Sequence, residues 1–234
     1  MINKPMKRIV AVMSGGLDCL GFLALHTGCE VSALTFSYGQ KSQKELEVAK
    51  NTLSQIPCVK EHKIIDITFL KDLHSDIQLL DDGVKVKEDY DKDIVVPLRN
   101  AIFATIATSY AYAIEADAIL MGAHMDDITP VNGDVMFPDC KPEFYESLET
   151  SLHIGHFRNS EKVIILTPSM LNLNKNDLVG YAKDAFGELI FDSWSCYNNG
   201  EVQCGTCFSC IARRESMKAN NIIDKTIYQN EVDL

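Results

Sequence analysis

Arg8-Ile9-Val10-Ala11-Val12-Met13-Ser14-Gly15-Gly16-Leu17-Asp18-Cys19-Leu20 decides how this chain is read. A short apolar run, Arg8 to Ser14, is the pattern of a strand buried on both faces; two glycines then break it, and Asp18 to His26 takes up a helical period. The same alternation recurs outward from this unit. Glu30 to Phe36 reads as a strand, Ser42 to Ser54 as an amphipathic helix with Leu46, Ala49 and Leu53 on one face, and Glu61 to Asp66 as a third strand. After the acidic stretch Lys71 to Asp93, which has no sustained period and is expected as surface loops, Asn100 to Ala116 reads as a helix packed deep in the domain. A strand at Ala118 to Gly122, a helix at Pro142 to Ile154, a strand at Lys162 to Leu166 and a helix at Asn174 to Phe186 complete the series. Strands separated by helix-length segments are joined by crossovers and therefore run parallel, so the fold class is α/β: a doubly wound, mostly parallel five-stranded sheet.

The 234 residues suit one main domain, expected over 1–192, with a small helical tail over 193–234 packed on it. Hydrophobic residues make up 46% of the chain and charged ones 24%, enough apolar surface for an ordinary core. The net charge of -11 repels a phosphate backbone, which disfavours non-specific nucleic-acid binding. No apolar run is long enough to span a bilayer, and residues 1–8 lack a signal-peptide core, so a cytoplasmic location without membrane contact is expected.

The turn Ser14-Gly15-Gly16-Leu17-Asp18 lies where a strand ends and a helix begins, the edge at which open α/β sheets bind ligands. Without β-carbons, successive glycines let backbone N–H groups and the helix N-terminus approach an oxyanion, and Ser14 adds a hydroxyl. Taken by itself, the turn also fits a tight strand-to-helix connection with Asp18 as a helix cap. It is neither a Walker loop nor a dinucleotide fingerprint.

Of the eight cysteines, Cys19, Cys29, Cys58 and Cys140 are scattered, whereas Cys196, Cys204, Cys207 and Cys210 are separated by only seven, two and two residues. Four thiolates close a tetrahedral zinc shell and leave no open position, the mark of a structural site. An iron–sulfur cluster takes the same donors, and disulfides are the third reading. Metal binding would contribute on the order of 10 kcal/mol to folding a segment with few apolar residues.

The turn resembles the SGGxDS signature of the PP-loop ATP pyrophosphatases, departing from it at Cys19, where serine is usual. Further segments extend the resemblance from Arg8 to about Met217: Tyr38-Gly39-Gln40-Lys41, Pro97-Leu98-Arg99-Asn100, Gly122-Ala123-His124 with Asp126-Asp127, Phe137-Pro138-Asp139-Cys140-Lys141-Pro142-Glu143-Phe144, and the cysteine run through Arg213. In this order they resemble the 7-cyano-7-deazaguanine synthase (QueC) family. Ser37, Ser42 and Leu98 are further departures from its pattern.

The resemblance implies an ATP-dependent carbon–nitrogen ligase of queuosine biosynthesis, a homodimer that joins 7-carboxy-7-deazaguanine to ammonia and forms the nitrile through acyl-adenylate and amide intermediates. ATP would lie on Ser14, Gly15, Gly16, Leu17, Asp18 and Cys19, with Tyr38, Gln40, Lys41 and Arg99 around it. Asp18 would hold magnesium, Arg99 and Lys175 would meet phosphates or carboxylate, and His124 or Asp126 would handle protons. Lys41, Arg99, Lys141, Lys175 and Arg213 are the cations expected to converge on these anions. Three other readings stand beside this one: a relative that stops at the amide or passes the acyl group to another amine, such as one on a protein; a PP-loop enzyme that modifies tRNA; and a zinc-ribbon interaction module. Cys19 is either a participant in the site or a small buried substitute.

Overall fold

Strand β1 (Arg8–Val12) occupies the middle of a five-stranded sheet and is covered on both faces, with Ile9, Val10 and Ala11 wholly buried. The computed structural model describes residues 5–74, 77–81, 92–131, 133–156 and 162–230. Along the chain follow α1 (Leu17–Ala24), β2 (Glu30–Ser37), α2 (Lys44–Leu53), β3 (Val59–Asp66), the single-turn α3 (Phe69–Leu73) and α4 (Arg99–Ala113). After β4 (Ala118–Leu120) come the short α5 (Met125–Ile128), a two-residue hairpin of β5 (Pro130–Val131) and β6 (Asp134–Val135), then α6 (Pro142–Ile154), β7 (Ile164–Leu166), α7 (Lys175–Phe186) and α8 (Phe208–Ala219).

The sheet order is β3-β2-β1-β4-β7 and every pairing in it is parallel, as the alternation of strands and helices predicts; the antiparallel β5–β6 pair stands apart. Side chains alternate across the sheet because a strand repeats every two residues. Val10, Leu34, Phe36, Ile119 and Ile165 point to the layer that holds α4 and α6, where Phe36 stacks on Phe103 with ring centroids 4.2 Å apart. Ile9, Ala11, Val31, Ala33 and Leu120 point to the other layer, filled by Leu20 and Leu23 of α1, Leu53 of α2, and Leu178 and Val179 of α7. Helices on both faces make the sheet doubly wound.

Element ends differ from the sequence reading by a few residues. Strand β3 begins at Val59, β4 stops at Leu120 and β7 starts at Ile164. Helix α4 is packed deep on one side only: Thr105 and Ser109 face solvent while Phe103, Ala104, Ala107 and Ala111 are buried. Within the stretch expected as loops, α3 and a 3-10 turn at Lys92–Ile94 form, and residues 75–76 and 82–91 lie outside the described residues. Among the described residues no helix is long and apolar enough to cross a membrane.

From β1 the chain winds to β2 and β3 on one side and later to β4 and β7 on the other. The carboxyl ends of β1 and β4 therefore splay apart, and this crevice is where an open α/β sheet accepts a ligand.

Candidate active site

At that crevice lies a cavity of about 270 Å³. Its near wall is the glycine turn. Gly15 has φ +88°, and a β-carbon there would fall 3.0 Å from the Ala49 backbone nitrogen and 3.1 Å from the Glu45 carbonyl, so both its conformation and the close approach of α2 require glycine. Gly16 is extended and caps α1, whose first turn brings Asp18 to the same wall. Ser14 Oγ accepts from the Gly16 N–H at 3.3 Å and lies 3.5 Å from Cys19 Sγ. Cys19 is half-buried, its thiol pushed up by burial, and a β-carbon on Gly122 would sit 3.0 Å from its sulfur. The thiol thus occupies space that the bare glycine of the β4 edge leaves.

Lys175, at the start of α7, reaches across to Asp18 with its Nζ 2.7 and 2.8 Å from the two carboxylate oxygens. Burial pushes the Asp18 carboxyl upward, but Lys175 and His124 outweigh it and hold the group well below the usual carboxylate range. The His124 ring lies behind Asp18, Nε2 at 3.8 Å from it and Nδ1 at 3.6 and 3.7 Å from Asp126 and Asp127. Burial opposes its protonation, yet Asp127 and Asp18 raise its pKa overall. Asp126 accepts the Lys175 backbone N–H at 2.7 Å. His124, Asp126 and Lys175 support Asp18 from behind and do not line the cavity; Asp127, its carboxyl raised by burial, does.

The far wall carries Arg99, which donates to Tyr38 Oη at 3.3 Å and lies over the Tyr38 and Phe103 rings. It stands at the first turn of α4, after Leu98, which adopts the left-handed conformation at φ 58°. Gln40 is used internally: its side chain accepts from the Tyr38 N–H and donates to the Phe36 carbonyl, shaping the loop that brings Tyr38 and Lys41 to the cavity. Deeper in, Asp139 accepts hydrogen bonds from the Asn100 backbone and side chain, and burial raises its pKa. Cys140 is 3.6 Å from Asn100 Nδ2 with its thiol driven up by burial, and the buried Tyr145 hydroxyl has no hydrogen-bond partner among the described residues.

Ser14, Gly16, Asp18, Cys19, Tyr38, Gln40, Lys41 and Arg99 line one cavity, whereas Gly15 lies behind it against α2. Leu17 is wholly buried in the core and presents only backbone to the turn. Of the expected cations, Lys41 and Arg99 line the cavity and Lys141, Lys175 and Arg213 do not; Arg213 is the furthest from the expectation. It is fully buried, bonded to Ser193, Ser195, Ile190 and Thr226, because α8 turns its inner face to the segment before the cysteines. Glu45 is the main wall residue the sequence reading misses: it faces the cavity from the first turn of α2, and burial lifts its carboxyl to about 8.

Cys196, Cys204, Cys207 and Cys210 hold their sulfurs within 4.8 Å of one another, all as free thiols. Cys204 and Cys210 sulfurs are 3.9 Å apart, close to the roughly 3.8 Å edge of a tetrahedron with metal–sulfur bonds of about 2.3 Å. Backbone N–H groups of Asn198 and Cys204 point at Cys196 Sγ, and that of Cys207 at Cys204 Sγ, as thiolate ligands require. The donor set fits a metal such as zinc.

The model of the family described as "Queuosine biosynthesis protein QueC" matches residues 8–221. The chain belongs to the QueC family. Similar proteins include 7-cyano-7-deazaguanine synthase 2 of Colwellia psychrerythraea (strain 34H), 36% identical over 232 residues, covering 95% of this chain and 99% of that one. The synthases of Psychromonas ingrahamii and Acetivibrio thermocellus are each 35% identical over 233 residues, covering 96% and 95% of this chain and 99% and 98% of theirs. These QueC-family relatives run nearly the whole length of the chain, across the turn, the cavity and the cysteine segment. Among solved structures, NMN synthetase from Francisella tularensis aligns with 95% of this chain and 80% of its own at a TM-score of 0.46 and 14% identity.

Proposed function

We propose that this chain is a ligase that converts 7-carboxy-7-deazaguanine and ammonia to 7-cyano-7-deazaguanine with ATP. The observation that carries the reading is a cavity at the sheet's switch point that joins a diglycine turn to a wall of Arg99, Asn100, Asp139 and Asp127, in a chain of the QueC family. The names of the relatives, 7-cyano-7-deazaguanine synthase, support the product in this reading.

A carboxylate resists attack by an amine because its oxygen is a poor leaving group. One carboxylate oxygen attacks the α-phosphorus of ATP, forming an acyl-adenylate and releasing pyrophosphate. Ammonia then adds to the acyl carbon, gives up a proton, and displaces AMP to leave the amide. The amide oxygen attacks a second ATP, again releasing pyrophosphate, and loss of the remaining N–H protons with AMP yields the nitrile.

Phosphates rest on the N-terminus of α1, whose dipole favours anions, where the Gly16 N–H turns to them from its long 3.3 Å contact with Ser14 Oγ. Arg99 stabilises charge developing at the reacting phosphoryl group. Asp18 is ionised and on the wall, which suits it to the magnesium that accompanies ATP and shields pyrophosphate charge. Asp127, lining the cavity and 3.7 Å from His124 Nδ1, takes the proton released by the amine and shares it with the imidazole. His124 thereby acts through Asp127 and Asp18, not on substrate directly. Asp139 and Asn100 offer an acceptor and a donor to the edge of the deazaguanine ring.

Incubation with ATP, magnesium, ammonium and 7-carboxy-7-deazaguanine, followed by mass spectrometry, is expected to give the nitrile with AMP and pyrophosphate. Gly16→Ala, whose added β-carbon meets Ser14 Oγ at 3.3 Å and the Trp194 carbonyl at 3.5 Å, is expected to lower AMP formation by about a hundredfold or more. Amide as the only product would sink the nitrile assignment, and full turnover in Gly16→Ala would remove the turn from catalysis.

A further inference from the structure

The peptide unit that joins Gly15 to Gly16 is gripped from outside the turn. Trp194 donates its backbone N–H to the Gly15 carbonyl at 3.0 Å. In a trans peptide the carbonyl of one residue and the N–H of the next lie in one plane and point in opposite directions, so a donor on the Gly15 oxygen sets where the Gly16 N–H points. Gly15 itself, at φ +88°, has the backbone freedom to swing if that grip is released.

What holds Trp194 is the cysteine segment. Trp194 Nε1 donates to the carbonyl of Cys196 at 2.8 Å. On either side of it, Gln203, the residue before Cys204, accepts from the Ser195 N–H at 3.1 Å and donates to the Ser193 carbonyl at 3.1 Å. Arg213, one turn beyond Cys210 on α8, donates to the Ser193 hydroxyl at 2.7 Å, the Ser193 carbonyl at 3.4 Å and the Ser195 hydroxyl at 3.3 Å. Among the described residues the partners of this buried guanidinium are neutral oxygens. Three separate points of the four-cysteine segment thus converge on residues 193–195, whose central member holds the phosphate turn. Gln203 and Arg213 do not line the cavity, so neither touches a molecule bound there.

The four sulfurs lie within 4.8 Å of one another, a spacing that an ion between them would hold. With that ion gone, the tie between Cys196 and Cys204 rests on the Cys204 N–H to Cys196 Sγ contact at 3.3 Å, and the loop between them loosens. That movement is transmitted through the Cys196 carbonyl and Gln203 to Trp194.

We propose that metal held by Cys196, Cys204, Cys207 and Cys210 sets the shape of the phosphate turn, with Gln203 and Arg213 as positioning residues, so that metal occupancy controls the affinity for ATP. The inference rests on the reading of the turn as the ATP site, and it assigns the cysteine segment a part in nucleotide binding beyond the folding of the tail.

Trp194 is the chain's single tryptophan; it packs against the four cysteines and also lines the cavity, so its fluorescence reports the metal end of the linkage and ATP affinity reports the turn. The experiment compares full-length protein loaded with zinc, stripped by a chelator and reloaded, following Trp194 emission, ATP binding by calorimetry, zinc content and the far-ultraviolet helix signal. Stripping is expected to shift Trp194 emission and weaken ATP binding by about tenfold or more with the helix signal kept, and zinc is expected to restore both. Gln203→Met, close in size but without either hydrogen bond, is expected to keep stoichiometric zinc while shifting Trp194 emission and weakening ATP by several-fold. If stripping melts the chain, Gln203→Met decides. Unchanged ATP affinity and emission in zinc-loaded Gln203→Met, or in stripped and folded protein, overturns the proposal. Zinc-loaded wild type that binds no ATP rejects the ATP site, whereas hydrogen exchange of the Gly16 amide that quickens on stripping and in zinc-loaded Gln203→Met upholds the mechanical link.

Discussion

Glu45 shows how a single side chain tunes the cavity. If ATP binds in the cavity as proposed, a carboxylate there would repel it, but burial lifts this one to about 8, so at neutral pH it is an uncharged donor facing the cavity. As pH rises through 8 the group ionises and the repulsion appears. ATP affinity is therefore expected to fall above pH 8 in the wild type and to stay level in Glu45→Gln, measured by calorimetry across pH 6.5 to about 9.5. The sign for stability is the same: the folded pKa is raised, so the contribution is complete below the ordinary value of 4.5 and is lost as pH climbs to about 8. Thermal melts of ligand-free wild type should decline over that window more than those of Glu45→Gln. In the sequence Glu45 stands four residues before the buried Ala49, on the apolar face of its helix, which is the trace by which it is found. Arg213 misleads in the opposite way. A cation beside a metal motif reads as a ligand for anions, and only the packing of α8 shows that it is spent on backbone and hydroxyl oxygens.

At the scale of elements, the Lys175–Asp18 pair ties the start of α7 to the start of α1, over an interface whose closeness is set by Gly21: a β-carbon there would fall 2.2 Å from the Leu178 carbonyl. Lys175→Met is expected to destabilise the protein by about 2 kcal/mol, less than the roughly 3 to 5 of a fully buried pair because Asp18 is 29% exposed. Asp18's depressed pKa contributes stability above the ordinary 3.8 that is lost as pH falls through its folded value. Removal of Lys175 raises the folded value towards the ordinary one and so shrinks that acid loss, as urea titrations from pH 7 down to about 2 will show. Elements with a clear period were legible in the sequence: α6 runs from Pro142 to Ile154 as expected, with proline at its first position. The stretch from Lys71 to Asp93 was not, since its polar residues carry no period and α3 is held by burial of Leu70 alone in its one turn. The four-residue α5 likewise owes its existence to a capping box between His124 and Asp127.

For the whole molecule, a chain of net charge -11 is read here as a binder of a polyanion and a carboxylate. Local placement makes this workable: Arg99 and Lys41 line the cavity, Lys175 neutralises Asp18 behind it, and Glu45 is uncharged at neutral pH. The motifs at the strand ends made this gathering legible. The linkage from the cysteine segment to the turn was not, because it runs through backbone groups of residues 193–195 that no side-chain pattern marks. In the proposed mechanism both oxygens of the substrate carboxylate leave on AMP. Turnover of 7-carboxy-7-deazaguanine labelled with oxygen-18 in both carboxylate positions is the deciding measurement. One labelled oxygen in each AMP and two AMP for every nitrile are expected, read by mass spectrometry; unlabelled AMP, or ADP and phosphate in its place, would overturn the mechanism.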